Sequence, residues 1–300
     1  MELKNIQSIY FLGAGGIGMS ALVRYFLAEG KKVAGYDRTA CALTDKLIEE
    51  GADIHFEENP ELIPDAFRDK ETTLVIYTPA IPKEHKEWEY FRTNGFEIKK
   101  RAEVLGLITR DKRGLCIAGT HGKTSTSTMT AHLLHQSQTD CAAFLGGISK
   151  NYHSNLILSD KSDFVVIEAD EYDRSFLQLT PYIAVITATD PDHLDIYGTK
   201  ENYLEGFAQF TERIRPDGYM IVHEGLELVP RPAEGVTCYT YGRDKGDFRA
   251  ENIRIGGGRI LFDYVSPLGN IKDIEPGVPV SINIDNGIAA MAVAPLSGAT

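Results

Sequence analysis

The chain has 300 residues, 43% hydrophobic and 25% charged, with a formal net charge of −12. That length and mix suit about two folded domains with real cores. The acidic balance argues against a nucleic-acid partner or an anionic membrane surface, but it leaves room for anionic small ligands held by local positive charge. The start, Met1 to Asn5, does not read as a signal peptide, and no apolar run reaches membrane-spanning length. The four cysteines form no CxxC, which opposes a disulfide framework or a zinc site. The expected setting is the cytoplasm.

The first strand-like run is Ser8 to Leu12, followed by Gly13-Ala14-Gly15-Gly16-Ile17-Gly18 and a predicted helix from Ser20 to Glu29. A second strand, Lys32 to Tyr36, ends at Asp37, which completes a βαβ unit with GxGxxG and a following acid. Further strands are expected at Thr73 to Tyr77, ending at Thr78, and at Phe96 to Ile98, before a helix from Arg101 to Ile108. This alternation predicts a doubly wound parallel sheet over residues 1–108. The charged run Thr109 to Gly114 reads as a break, placing a second domain at residues 109–300.

The second domain opens with an apolar strand, Leu115 to Ile117, a glycine turn and a helix from Ser125 to Leu134. Buried strands are expected at Phe164 to Ile167, leading into Glu168-Ala169-Asp170-Glu171, and at Tyr182 to Thr187, leading into Asp190-Pro191-Asp192-His193-Leu194-Asp195. Another follows at Tyr219 to His223. From Val236 to Asn283 short alternating segments predict antiparallel strands attached to the parallel sheet, and Asn286 to Ala294 reads as an alanine-rich helix. The chain reads as ending without a closing element, as a fragment would.

The chemistry concentrates at Ala118-Gly119-Thr120-His121-Gly122-Lys123-Thr124. A strand, a glycine turn, Gly-Lys-Thr and a helix make a phosphate cradle: amides and the helix dipole meet the oxygens, lysine adds a charge, and the threonine hydroxyl can bind Mg²⁺. The usual pattern has a glycine where this chain has Ile117, so the loop is short. His121 is placed to meet a terminal phosphate or the acceptor. Glu168 leaves the carboxyl end of a buried strand, where a carboxylate can share Mg²⁺ with the loop threonine. His193 stands on the same sheet edge between Asp192 and Asp195; it suits a second metal position that also accepts Mn²⁺. The first glycine loop alone fits NAD, the diphosphate of a nucleotide-linked substrate, or a bare structural turn.

Gly-Thr-His-Gly-Lys-Thr, Glu-Ala-Asp-Glu, Pro-Asp-His-Leu-Asp and the late Asn283-Ile284-Asp285-Asn286 stand in the order in which they recur in the Mur ligases, and the chain resembles that family over its whole length. The resemblance implies an α/β fold: a Rossmann-like parallel-sheet domain, then a central P-loop ATPase-like mixed-sheet domain. The family's third, C-terminal domain, which closes over ATP, is expected to be absent, leaving ligand binding but little ligase activity. It implies ATP-dependent C–N bond formation for peptidoglycan, with UDP-N-acetylmuramate, L-alanine and ATP as partners. A UDP sugar would lie against Gly13, Gly15, Gly16, Ile17, Gly18, Asp37, Thr78 and Arg101. ATP would meet Gly119, Thr120, Gly122, Lys123, Thr124 and Ser125, with Asn283 and Asn286 at the adenine. Lys123, His121, Glu168 and His193 would serve catalysis, and Thr124, Glu168 and His193 would hold Mg²⁺. Two departures stand out: Thr187-Ala188-Thr189-Asp190 replaces the family's Thr-Asn-Ile-Glu, and Ile282 stands where a histidine is frequent. A tripeptide-adding ligase for the same sugar, an NAD-dependent dehydrogenase and a non-catalytic nucleotide-binding protein are the rival readings.

Overall fold

The computed structural model describes Leu3–Thr300. Met1 and Glu2, part of the stretch read for a signal peptide, lie outside the described residues. The chain divides into two units: residues up to Leu107 together with Gly146–Leu156, and Ile108–Leu145 together with Ile157–Thr300. Among the described residues no helix is long and apolar enough to cross a membrane.

In the first unit, β1 (Ser8–Leu12) is buried at every position, the pattern of a parallel strand covered on both faces. It pairs in parallel with β2 (Lys32–Tyr36) on one side and β4 (Thr73–Tyr77) on the other. With β3 (Asp53–His55) and β5 (Glu97–Lys100) the order is β3-β2-β1-β4-β5. The order reverses at β1, so a crevice opens beyond its carboxyl end, where α/β sheets place ligands. Helix α1 (Ile17–Ala28) follows β1, and α2 (Ala42–Glu49) and α3 (Lys86–Thr93) follow β2 and β4. The sequence reading passed over α2, β3 and α3: they are short, and their flanks carry mostly polar residues.

The same unit holds a polar trio, two members of which are fully buried. Tyr10 Oη is 2.7 Å from Glu87 Oε2 and 2.8 Å from His55 Nε2, and Glu87 Oε1 accepts from the Asn59 amide at 3.2 Å. Glu87 is fully buried. Burial pushes its carboxyl up to about 7, against the hydrogen bonds from Tyr10 and Asn59.

Helix α4 (Arg101–Asp111) runs through Thr109 to Asp111, so the expected loop is helical there and only Lys112 breaks it before β6 (Arg113–Ala118). In the second unit α5 (Lys123–Gln136) follows β6. Along the chain then come β7 (Ala142–Ser149) and β8 (Ser154–Ile157), of which Gly146–Leu156 belong to the first unit, and β9 (Phe164–Ala169) and β10 (Pro181–Ile186). Helices α6 (Leu194–Tyr197) and α7 (Lys200–Thr211) precede β11 (Tyr219–His223), β12 (Thr237–Gly242), β13 (Phe248–Gly256), β14 (Arg259–Val265) and β15 (Ile271–Ile274). Strand β6 lies between β10 and β9, parallel to both, and its last five residues are buried. The 236–283 segment corrects one expectation. β12 pairs in parallel with β11 and with the start of β13, and only β13, β14 and β15 are antiparallel. β12 extends the parallel sheet because Thr237 to Tyr241 register one for one on Tyr219 to His223.

Candidate functional site: two glycine turns

In the first unit, Gly13 has φ +90°, and a Cβ there would lie 2.5 Å from the Thr78 methyl. The Gly13 and Ala14 amides bond Tyr36 O at 2.8 and 3.1 Å, which ties the turn to β2. Asp37 braces it further: Oδ2 accepts from Gly15 N at 2.7 Å and Oδ1 from Thr39 N at 3.1 Å. The expectation of Asp37 near the nucleoside thus meets a side chain already engaged by backbone amides. α1 begins at Ile17, three residues earlier than expected, so Ile17 and Gly18 form its first turn rather than loop. Its cap, Gly16, supplies no side-chain bond, which leaves amides open to an anion.

A Cβ on Gly18 would lie 2.6 Å from the Arg101 guanidinium carbon, so Arg101 packs on that first turn. A cation beside a helix N-terminus is unfavourable on its own and favourable once an anion sits between them. Asn155, which the sequence reading missed, fastens the same turn: its amide donates to Ile17 O and to Ser20 Oγ at 3.0 Å, and it accepts from Arg24 at 2.7 Å. Nothing local marks a lone asparagine so far along the chain. Gly13, Gly16, Asp37 and Thr78 line a cavity of about 500 Å³, within the range of small-molecule sites.

In the second unit, Gly119 has φ +138°, and a Cβ would lie 2.1 Å from Thr187 Oγ1 and 2.7 Å from Ala188 N. Only glycine lets the loop cross the end of β10 so closely. The Thr187 hydroxyl donates to His121 O, and Thr120 Oγ1 donates to Asp190 O at 2.7 Å and lies 2.8 Å from Tyr203 Oη. Gly122 caps α5 in a left-handed conformation, φ +83°. Lys123 Nζ donates to Gly119 O at 2.7 Å and to Glu171 Oε1 at 2.9 Å, with Oε2 at 2.8 Å. Its charge is therefore held at the mouth of the turn by a carboxylate that is itself buried. Glu171 is the acid the sequence reading left without a role; an acidic run does not show which member turns inward.

The remaining expected residues distribute as follows. His121, Thr124 and Ser125 are exposed on the turn and the first residues of α5. Glu168 sits near the end of β9, opposite Ile117 of β6. His193 has φ +52°, packs edge-on against Tyr172 at 5.3 Å, and lies 3.8 Å from Asp192 Oδ2. Tyr172 follows Glu171 directly, so the structure brings the two motif loops together. Asn283 and Asn286 lie in the first turns of α8 (Ile282–Leu296), which starts four residues before the expected point. Asn286 donates to Asn283 Oδ1, accepts from Thr126 Oγ1, both at 3.3 Å, and borders Gly122. Between them Asp285 binds Arg243 at 2.6 Å and lies 3.7 Å from His223. The nearby Asp285 carboxylate raises the His223 imidazole above its ordinary range, despite burial.

Among the described residues no three His, Cys, Asp or Glu side chains cluster as a metal site. The donors that fit Mg²⁺ are hard oxygens, the Thr124 hydroxyl and the Glu168 carboxylate; His193 is a nitrogen donor and fits that ion less well.

An α/β protein with two glycine turns, one holding a lysine at a helix N-terminus, is built to handle phosphorylated ligands. The chain belongs to the Mur ligase family: residues 117–294 match the Mur ligase middle domain and residues 8–113 match the model described as Mur ligase family, catalytic domain. It is 68% identical over 300 residues to a UDP-N-acetylmuramate--L-alanine ligase of Phocaeicola vulgatus, covering all of this chain and 66% of that protein. It is 62% identical over 299 residues to the protein of the same name from Parabacteroides distasonis, covering 99% of this chain and 65% of the relative. The chain thus spans about two thirds of the length of these relatives. Among solved structures it is similar to the Thermotoga maritima UDP-N-acetylmuramate-alanine ligase, with a TM-score of 0.81, 26% identity, and coverage of 97% of this chain and 65% of that one.

Proposed function

We propose that this chain carries the UDP-sugar-handling and ATP-handling units of a cytoplasmic ligase that joins L-alanine to the carboxylate of UDP-N-acetylmuramate in peptidoglycan precursor synthesis. The observation that carries the reading is Lys123, poised at the mouth of the Gly119–Gly122 turn. A dehydrogenase would leave that lysine idle, and a passive nucleotide binder has no need of a cation held by an exchangeable carboxylate. The names of the relatives supply the substrates.

Residues 1–108 would take the UDP sugar, with its diphosphate on the Gly13–Gly18 turn, Arg101 supplying charge, and Asp37 and Thr78 shaping the nucleoside end. Residues 109–300 would take ATP on Gly119, Thr120, Gly122, Lys123, Thr124 and Ser125, with the adenine near Asn283 and Asn286. On nucleotide entry Lys123 exchanges Glu171 for phosphate oxygens. The muramyl carboxylate then attacks the γ-phosphorus, ADP leaves, and the alanine amine displaces phosphate from the acyl phosphate. Attack of one anion on another requires concentrated positive charge, and Lys123 with the α5 N-terminus provides it. His121, exposed on the turn, would face the acceptor. Mg²⁺ held by Thr124 and Glu168, with His193 at a second position that also accepts Mn²⁺, would neutralise phosphate charge.

Calorimetry tests the reading. Lys123→Ala should weaken binding of a non-hydrolysable ATP analogue about 100-fold while leaving UDP-N-acetylmuramate binding unchanged. In the chain extended to the relatives' full length, phosphate release from ATP should require UDP-N-acetylmuramate and L-alanine together. Release driven by a tripeptide in preference to L-alanine would move the assignment to the tripeptide-adding ligase.

A further inference from the structure

Helix α8 starts without a cap of its own. Ser281 precedes it in helical geometry and makes no side-chain bond to the first turn. The turn that carries Asn283 and Asn286 is therefore fixed from elsewhere. Arg243, between β12 and β13, supplies three bonds. Nη1 donates to Ser281 Oγ at 2.8 Å, and Nη2 donates to Ser281 O at 2.8 Å and to Asp285 Oδ2 at 2.6 Å. The other Asp285 oxygen, Oδ1, faces His223 Nε2 at 3.7 Å from the end of β11. Asp285 is 9% exposed, and a carboxylate that buried is costly unless cations pair with it. The far side of the same helical turn reaches the Gly119–Gly122 turn, since Asn286 bonds Asn283 and Thr126 and borders Gly122.

His223 is held in one tautomer. Its Nδ1 lies 2.8 Å from Glu224 O, and a carbonyl only accepts, so Nδ1 carries the proton of the neutral ring. A neutral His223 then turns a lone pair toward the Asp285 carboxylate, whereas a protonated one turns an N–H⁺ toward it. Protonation changes that contact from repulsion to attraction. Glu224, the chain neighbour, is a second acid that favours the proton. Tyr241 of β12 meets the ring edge-on at 5.0 Å, with a phenol that burial pushes far above its ordinary range and so keeps neutral. Arg243 opposes a second cation but is taken up by Ser281 and Asp285. The Asp285 carboxylate raises the imidazole above its ordinary range against burial. The charge is therefore present below that range and lost as pH rises through it. We propose that Asp285 is a positioning residue: joined to Arg243 and to protonated His223, it latches the first turn of α8 so that Asn283 and Asn286 meet the nucleotide, and loss of the His223 proton loosens the latch and weakens nucleotide binding. This rests on the reading that the second unit takes ATP.

Calorimetry with a non-hydrolysable ATP analogue tests the latch in wild type, His223→Gln and Asp285→Asn. Measurements at about pH 6 and about pH 8.5 lie either side of the His223 titration. The analogue's own titration is common to the three proteins and cancels in the comparison. Between the two pH values wild-type affinity should fall about fivefold more than that of His223→Gln, which gains no proton. Asp285→Asn should bind about tenfold more weakly than wild type at the lower pH and show no such extra fall. Equal falls in wild type and His223→Gln, or an Asp285→Asn affinity that matches wild type at the lower pH, would overturn the latch while leaving the ATP site standing. Wild type that binds no analogue at either pH would overturn the ATP reading and the proposal with it. Thermal melts matched to wild type show that Asp285→Asn folds; if it does not, the pH comparison with His223→Gln, made at a partly exposed ring, decides alone.

Discussion

The turn between β1 and α1 carries no cation of its own, whereas the turn between β6 and α5 ends in Lys123. In the first unit the positive group near the helix N-terminus is Arg101, brought from the start of α4 and packed against the space left by Gly18. An acid, Asp37, braces that turn through backbone amides. In the second unit the lysine belongs to the loop, and an acid, Glu171, holds the lysine rather than the loop. A turn whose charge is delivered from outside and whose acid is locked into its frame fits a ligand that is held. A turn whose own charge is paired with an exchangeable acid fits a ligand whose phosphate is transferred.

The contrast breaks most readily at Gly119. Gly119→Ala places a methyl against Thr187 and the Ala188 backbone at a φ that side chains avoid. A destabilisation on the order of 3 kcal/mol or more is expected, read by urea unfolding, together with loss of ATP-analogue binding and intact UDP binding. Full stability in this variant would mean that the turn relaxes freely and that its close crossing of β10 is not needed.

Next in size is the effect of pH on the first unit. The Glu87 carboxyl is raised from its ordinary 4.5 to about 7 in the folded state, so the folded form holds its proton more tightly than the unfolded form. Its stabilising share is complete below about pH 4.5 and is lost as pH rises through about 7. Glu87→Gln should flatten this fall, which is on the order of 3 kcal/mol. Trp88, the single tryptophan of the chain and the next residue, reports it by fluorescence during denaturation. A pH-independent difference between wild type and variant would show that Glu87 stays ionised.

The smallest effect separates stability from affinity. In Gly18→Ala the new methyl meets only the end of the flexible Arg101 side chain. The helix should gain up to about 1 kcal/mol, while UDP-sugar affinity falls about tenfold because Arg101 is displaced from the turn. Unchanged affinity would remove Arg101 from the site.

Much of this was readable from residues alone. Ser8 to Leu12, Lys32 to Tyr36 and Thr73 to Tyr77 are apolar runs bounded by turn residues, and each forms the strand its pattern implies. Gly119, Gly122 and Lys123 could be found because their chemistry is local: a turn, a cap and a charge within five positions. The helix from Ile282 was read four residues short because Asn283, Asp285 and Asn286 look like loop; Arg243, Thr126 and neighbouring asparagines bond these polar side chains inside the fold.

What the sequence determined by itself was the α/β alternation, the two glycine turns and the family. Each is encoded by residues close together in the chain, where spacing alone fixes geometry. Only tertiary structure decided that Glu171 rather than its neighbours grips Lys123, that Arg101 and Asn155 converge on the first turn of α1, and that Arg243 and His223 converge on Asp285. Those facts depend on which side chains face one another across strands far apart in sequence, and on which polar groups burial leaves unpaired. No local pattern carries that information, because the same residue at the same spacing is satisfied or stranded according to what packs against it.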